Sequence, residues 1–522
     1  MISRLRNIRM NLGNRTGRCF MAALFISIVA NGCQGQTGSD ERQKLRPPGV
    51  AGSFYPAEPG ALTAMMDGML ADAERPAIKD KILAVVAPHA GYPYSGPVAA
   101  HTYAALKGHR FTRVVVIAPS HFEAFDFSSV FNGDGYVTPL GTVPVDKPFA
   151  EKLAKMDSSI RLSERGHTAT AEGAEHAVEV QLPWLQHVLG SFNLVPIVMG
   201  NQDYESSRAL GVALAKLIQA DEGPGQDTLI VASSDLSHYH SYDVAEAIDH
   251  KTLNALQSWD YLSMSRNFEM RIWEACGGAP IVAAMIAAER MGANQAIVLK
   301  YANSGDTAGD HSRVVGYSAD LFVKAQYAAA SEASFALNEE EKHALLDLAR
   351  KSVEHAVQQH QRYEPGAVKD EVLNQERGVF VTLKQRGNLR GCIGYTSAVE
   401  PLYLTVRDTA TLAALRDPRF RPVSASELSD LQYEISVLSP MRRVIDPAAV
   451  TVGRDGLLMK NRDHEGLLLP QVPVEQNWDR VRFLKETCIK AGMASDCWQN
   501  DDTDIFRFTA DVFGEHSEIH SH

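Results

Sequence analysis

The sequence predicts an α/β layered domain followed by an α+β domain, carried behind a short leader. Three observations point there. Short aliphatic and β-branched runs alternate with helix-length stretches from Val50 to about Lys324, the mark of helices layered on both faces of a sheet. That pattern changes after the Ala- and Ser-rich stretch Gln326–Asn338. The 522 residues also exceed one ordinary core, at roughly 150 residues per domain. A hydrophobic content of 45% and a charged content of 22% suit globular protein. The net charge of −12 argues against a general nucleic-acid binder, which needs a basic face to neutralise phosphates.

The leader comes first. Arg4, Arg6, Arg9, Arg15 and Arg18 form a basic region ahead of the apolar run from Cys19 to Ala30. That run is too short to span a bilayer, which takes about 20 residues, but it suits a signal peptide. It ends in Ala30-Asn31-Gly32-Cys33, which resembles a bacterial lipoprotein processing site with Cys33 as the lipidated residue. Ala30 departs from that pattern, where a larger aliphatic residue is usual. Cleavage at an ordinary small-residue site and a misread cytoplasmic start are the alternatives. The expected location is therefore outside the cytoplasm, as a membrane-anchored lipoprotein facing the periplasm. Gln34 lacks the aspartate that retains lipoproteins at the inner membrane, so the outer membrane is expected where one exists.

The expected boundaries are a leader at 1–33, a polar tether at 34–48 and a first domain at 49–325. A linker at 326–337, a second domain at 338–516 and a tail at 517–522 follow. In the first domain, Ile82–Ala87, Arg113–Ala118, Leu194–Met199, Thr228–Ser233, Ala296–Tyr301 and Val314–Ala319 read as buried strands. Gly60–Ala71, Pro97–Leu106, Val178–Leu189, Arg208–Gln219 and Pro280–Met291 read as helices. In the second, Glu339–Gln359 reads as an amphipathic helix, and Val379–Leu383 with Leu389–Tyr395 as a hairpin around Gly387-Asn388. A strand at Tyr433–Leu438, a pair around Asp463–Gly466, a helix near Trp478–Lys490 and a final strand at Ile505–Phe508 complete it.

Of six cysteines, Cys19 and Cys33 belong to the leader. Cys276, Cys392, Cys488 and Cys497 are too few for a disulfide scaffold in so long a chain. Cys488 and Cys497 could pair in an oxidising compartment, which spacing alone does not decide.

Three strands of the first domain end in side chains suited to metals or proton transfer. One runs into Pro88-His89-Ala90-Gly91-Tyr92, another into Pro119-Ser120-His121, and the third into Ser234-Asp235-Leu236-Ser237-His238. Ligands in open α/β sheets bind outside the carboxyl ends of the strands, where loops and helix N-termini converge. The bland alternative has Ser120 and Asp235 capping helices and the histidines packing locally. Cys276 by itself reads as a buried small hydrophobe before an apolar helix.

These motifs, with Glu175-His176 and Cys276-Gly277, resemble the Memo-like family, protein B of the AmmeMemoRadiSam system, from about Pro47 to Val323. The resemblance implies an α/β/α fold similar to class III extradiol dioxygenases. It also implies that His89, His121 and Cys276 ligate one transition-metal ion, iron or copper, with zinc also compatible. Asp235, His238, Glu175 and His176 are the candidate proton-transfer or supporting residues. Where such dioxygenases use two histidines and a carboxylate, Cys276 stands in for the acid, and a thiolate favours softer ions. Glu175 or Glu179 could restore a carboxylate.

Gly387-Asn388-Leu389-Arg390-Gly391-Cys392-Ile393-Gly394, with Asp417-Pro418-Arg419-Phe420 and Gln476-Asn477-Trp478-Asp479, resembles the AMMECR-type domain, protein A of the same system. Cys392 is either a reactive thiol, its pKa lowered by Arg390, or a structural cysteine in a Gly-kinked strand. The expected function is a metal-dependent oxidoreductase acting on a small molecule or a peptide. A radical-SAM protein of the system and the membrane are its expected partners. A non-catalytic metal-binding or peptide-binding scaffold is the alternative.

Overall fold

The computed structural model describes residues 43–76, 78–170, 173–221, 223, 227–326, 336–397 and 400–515. The leader with Cys33, most of the tether and linker, and the tail lie outside them. The folded part begins before residue 49. Leu45–Arg46 is a strand paired in parallel with Gly135–Tyr136, and the Arg46 side chain is buried.

The centre of the first region is a nine-stranded sheet. Its order is His238–His240, Val314–Lys324, Lys81–Ala87, Thr228–Ser233, Arg113–Pro119, Asn193–Met199, Ser128–Phe131 and Ile160–Ser163, with Gln295–Asn303 also on Val314–Lys324. The four strands from Lys81–Ala87 to Asn193–Met199 are parallel neighbours, so their carboxyl ends share one edge. Residues alternate between two cores, as a pleated strand requires. Val115 and Ile117 face one side while Val114, Val116 and Ala118 face the other. Burial on both faces is why these strands read as unbroken apolar runs. On one face lie helices Pro59–Asp72, Tyr92–Leu106 and Gln181–Leu189; on the other lie Tyr204–Asp221, Tyr261–Glu269 and Gly278–Arg290.

Helix Tyr92–Leu106 begins five residues before the expected start, because Pro93 and not Pro97 occupies its first turn. The helices Tyr242–Gln257 and Tyr261–Glu269 were not anticipated.

The second region holds two antiparallel four-stranded sheets. One has the order Asn388–Tyr395, Val379–Gln385, Leu431–Leu438, Ala510–Gly514. Helices Glu339–Gln359 and Leu402–Leu415 contribute to its core. The first of these carries a capping box between Asn338 and Glu341. The other sheet has the order Arg442–Arg443, Asp504–Phe508, Gly456–Lys460, Glu465–Leu468 and shares a core with helix Arg480–Lys490. The hairpin expected at Gly387-Asn388 turns one residue earlier, with Arg386 and Gly387 both at positive φ. Ile505–Phe508 is not the last strand, since Ala510–Gly514 follows. Cys488 and Cys497 form a disulfide.

The two regions are not beads on a string. Leu438, Met441, Leu458, Leu469, Phe506 and Phe508 of the second join the core under helices Tyr261–Glu269 and Gly278–Arg290 of the first. Beside them the buried Asp504 carboxylate receives Arg208 at 2.5 Å, Arg290 at 2.6 Å and Arg443 at 3.3 Å. Burial alone would raise the Asp504 pKa; Arg208 and Arg290 outweigh it and hold it down.

Candidate metal centre

Strands Lys81–Ala87 and Arg113–Pro119 flank Thr228–Ser233, so the sheet delivers His89, His121 and Asp235 to one edge. Cys276 comes from elsewhere, the connector between helices Tyr261–Glu269 and Gly278–Arg290. Gly277 lets it approach. A Cβ there would lie 2.3 Å from the Ser233 carbonyl oxygen, so only glycine fits against the strand end. The Cys276 amide donates to the Asp235 carbonyl at 3.2 Å, and the Gly277 amide to Ser234 Oγ at 3.0 Å.

Metal-ligand atoms of His89, His121 and Cys276 lie within 4.8 Å of one another. His89 Nε2 is 3.0 Å from Cys276 Sγ. Two other sets meet the same spacing, His121–Glu175–His176 and Asp235–His238–Cys276.

Hydrogen bonds set which ring nitrogen each histidine presents. Ser233 Oγ donates to the Ala177 carbonyl at 2.6 Å and accepts from Gln181 Nε2 at 2.8 Å. Its remaining lone pair accepts from His89 Nδ1 at 3.0 Å, which leaves Nε2 basic and facing the thiol. His121 Nδ1 donates to Glu175 Oε1 at 2.9 Å, while the His121 amide takes Oε2 at 2.7 Å. His238 Nδ1 donates to the Leu236 carbonyl at 2.8 Å. All three rings therefore keep the Nε2 lone pair turned away from these partners, the arrangement that fixes metal-binding histidines.

The electrostatics agree with a cation. Burial, with the neighbouring histidines, pushes the His89 pKa well below its usual value and keeps the ring neutral. Burial and the nearby Asp235 carboxylate push the Cys276 thiol well up, so it holds its proton until a positive charge arrives. At His121 burial is outweighed by the Glu175 carboxylate, which raises the pKa, so a metal there competes with a proton as it does at Cys276. Two imidazole nitrogens and a thiol that ionises on binding suit a transition-metal ion.

The remaining expected residues fall as follows. Asp235 Oδ1 accepts from the His89 amide at 2.7 Å and the Ala90 amide at 3.3 Å, and burial raises its pKa. Asp235 and His238 are held by different partners and are not hydrogen-bonded together. His176 stacks on His121 with centroids 4.8 Å apart, its pKa pushed down by burial to about 4. Glu175 orients His121. Glu179 does not restore a carboxylate to the cleft, because it is committed to Arg46, Tyr55 and the amides of Gly49 and Val50.

Sequence reasoning assigns no role to Ser233, which stands in the Ser233-Ser234-Asp235 run, to Gln181 or to Glu274. Glu274 takes His240 Nε2 at 2.9 Å and the His238 amide at 3.3 Å. Its place two residues before Cys276 was the available signal.

In the second region the two readings of Cys392 meet different geometry. Arg390 is bound to Glu427 at 2.8 and 3.3 Å. Burial raises the Cys392 thiol pKa; Thr382, which donates to Sγ at 3.2 Å, and Arg419 only partly oppose this. Gly391 packs under helix Leu402–Leu415, where a Cβ would lie 2.2 Å from the Ala413 carbonyl oxygen. That favours the structural reading of the motif.

A family model described as Memo-like protein matches residues 46–321, and one described as AMMECR1 matches 346–513. A MEMO1 family protein of Methanopyrus kandleri is 37% identical over 290 residues, 53% of this chain and 98% of that protein. One from Methanothermobacter thermautotrophicus is 36% identical over 281 residues, 52% of this chain and 99% of that protein. A protein of Thermococcus onnurineus is 43% identical over 181 residues, 33% of this chain and 88% of its own length. The crystal structure of an uncharacterized protein from Pyrococcus horikoshii matches at 40% identity and TM-score 0.34, covering 35% of this chain and 95% of that one.

Proposed function

This chain belongs to the Memo-like family, with an AMMECR1 region behind it, and on that premise we propose that its cleft serves a metal-dependent oxidoreductase. His89, His121 and Cys276 would hold one transition-metal ion, iron or copper, and zinc also suits the donors. The carrying observation is the contact of His89 Nε2 with Cys276 Sγ at 3.0 Å, beside a His121 ring turned by Glu175. A bound ion would supply Lewis acidity and, for iron or copper, one-electron chemistry. Asp235, its pKa raised by burial, and His238, with Nε2 free, would carry protons at the edge of the cleft. Glu175 keeps His121 in one tautomer. The substrate is a small molecule or a peptide.

Tag-free protein should contain about one ion per chain by elemental analysis. His89→Ala, His121→Ala and Cys276→Ser should each strip most of it while the far-UV spectrum stays the same. Full metal content in all three variants would dismiss the site.

One observation favours a second reading. Tyr94, Phe122 and Tyr239 are exposed, and Phe122 and Tyr239 immediately follow His121 and His238. Such residues suit a scaffold that grips a peptide, or a metal carrier docking on its acceptor. Metal transfer to a partner protein without O₂ uptake would select it.

The reading includes a lipid anchor at Cys33, a periplasmic face and a radical-SAM partner of the same system. The basic and apolar leader supports export, and so does the Cys488–Cys497 disulfide, since such bonds persist in oxidising compartments. Cys33→Ala should move the folded protein from the membrane to the soluble fraction. Wild-type protein found soluble in the cytoplasm with Met1 attached would refute export.

A further inference from the structure

Cys276 sits on a connector that faces the metal cleft on one side and the AMMECR1 region on the other. Toward the cleft, Glu274 takes the His238 amide and the His240 ring, and the Cys276 amide binds the Asp235 carbonyl. Toward the AMMECR1 region, Trp273 Nε1 donates to Glu376 Oε2 at 3.4 Å. Glu376 Oε1 also pairs with Lys251 at 2.6 Å, which fixes the carboxylate between two donors.

The helices on either side of the connector are gripped by the same region. Arg266, near the end of helix Tyr261–Glu269, donates to Thr396 and Ser397 and pairs with Glu465 at 3.1 Å. Arg290, at the end of helix Gly278–Arg290, binds Asp504. Between them, the Trp273 ring meets Phe268 with centroids 6.4 Å apart, and Phe268 lies against Gly278. A cavity of about 700 Å³ opens beside the clamp, lined by Lys251, Trp273 and Glu376 among others. Trp273 is buried in the core there, so packing and the hydrogen bond to Glu376 together hold the outer side of the connector.

We infer that Glu376 is a positioning residue for the metal centre: by holding Trp273 it sets where the connector places Cys276. The AMMECR1 region thereby tunes the ligand sphere of the Memo-like region within one chain. The inference rests on the metal-site reading. Its physical basis is that partners lying just outside a ligand shell govern affinity through ligand orientation, typically by about 10–100-fold.

The test uses the full chain, Co²⁺ as probe, and the thiolate-to-cobalt absorption band as signature. Glu376→Ala should weaken Co²⁺ binding about 10-fold and shift or dim that band. Trp273→Phe, which keeps ring packing but loses the donor, should do the same. Glu376→Gln still offers an oxygen to the indole and should restore wild-type behaviour. Lys251→Met, which keeps the Trp273 donor and its acceptor, should change the band less than Glu376→Ala does. Iodoacetamide alkylation of Cys276 in metal-free protein, read by peptide mass spectrometry, gives a second readout and should accelerate in Glu376→Ala and Trp273→Phe. Wild-type affinity, band and alkylation rate in both variants would overturn the inference. So would Lys251→Met behaving like Glu376→Ala while Glu376→Gln fails to rescue. Wild-type protein that binds no cobalt, iron or copper defeats the metal reading instead, and the alkylation rates alone then decide whether Glu376 positions Cys276.

Discussion

Glu179→Ala is expected to destabilise the first region by about 3–5 kcal/mol, the usual cost of removing one partner from a buried ion pair. Glu179 is 0% exposed and Arg46 3%. The carboxylate accepts from the Gly49 amide at 2.8 Å, the Val50 amide at 3.0 Å and Tyr55 Oη at 2.6 Å, besides the guanidinium. Without it a buried guanidinium keeps the carbonyls of Pro47, His167, Thr168 and Glu175 and the Tyr136 ring, but no counter-charge. Thr168 and Glu175 flank the strand pair Ala169–Thr170 and Gly173–Ala174, and the Glu175 amide donates to the Thr168 carbonyl, so the loss should reach the His121 side of the cleft. Urea unfolding followed by fluorescence measures it. The double variant Arg46→Met, Glu179→Leu should recover only part of the loss, because it removes the unpaired charge but leaves the Gly49 and Val50 amides and the Tyr55 hydroxyl without their acceptor. A midpoint shift worth under about 1 kcal/mol in Glu179→Ala would show the pair to be dispensable.

Asp235→Asn is expected to keep the metal and lose about 10²–10⁴-fold in O₂ uptake, the range for removing a positioned acid–base group. The substitution is conservative in space. The asparagine Oδ1 can still accept from the His89 and Ala90 amides, so the loop keeps its form. What disappears is a carboxyl group whose burial raises its pKa toward the range where it exchanges protons readily. Metal-loaded wild type would first be screened with catechols, thiols and ascorbate. His238→Ala should behave alike, since its Nε2 is the free nitrogen at the same edge. Equal turnover in Asp235→Asn and wild type, at equal metal content, would assign the activity to the bare ion and remove both residues from the mechanism.

The sheet could be read in advance because its parallel strands are buried on both faces. Lys81–Ala87, Arg113–Pro119, Asn193–Met199 and Thr228–Ser233 therefore carry apolar residues at every interior position. Short strands such as Ser128–Phe131 and Ile160–Ser163, the last two of the sheet, have too few residues for periodicity to register. Helices Tyr242–Gln257 and Tyr261–Glu269 are largely polar, and part of their apolar stripe faces the second region, a surface that local pattern does not announce. Arg390 and Cys392 look like partners because they are two residues apart. The fold gives Arg390 to Glu427, 37 positions away, and the thiol to Thr382.

By itself the sequence determined which side chains could serve as donors and that His89, His121 and Asp235 would share one edge. That follows from parallel strands, whose carboxyl ends cannot be anywhere else. It did not determine what those donors present. Cys276 reaches them from a helix connector, through the close approach of Gly277 to Ser233. The ring nitrogen each histidine offers depends on its other hydrogen bond. That partner is Ser233 for His89, 144 positions away, and Glu175 for His121, 54 positions away. Only the tertiary structure decides this, because a tautomer is chosen by what lies within about 3 Å of the ring and not by what adjoins it in the chain.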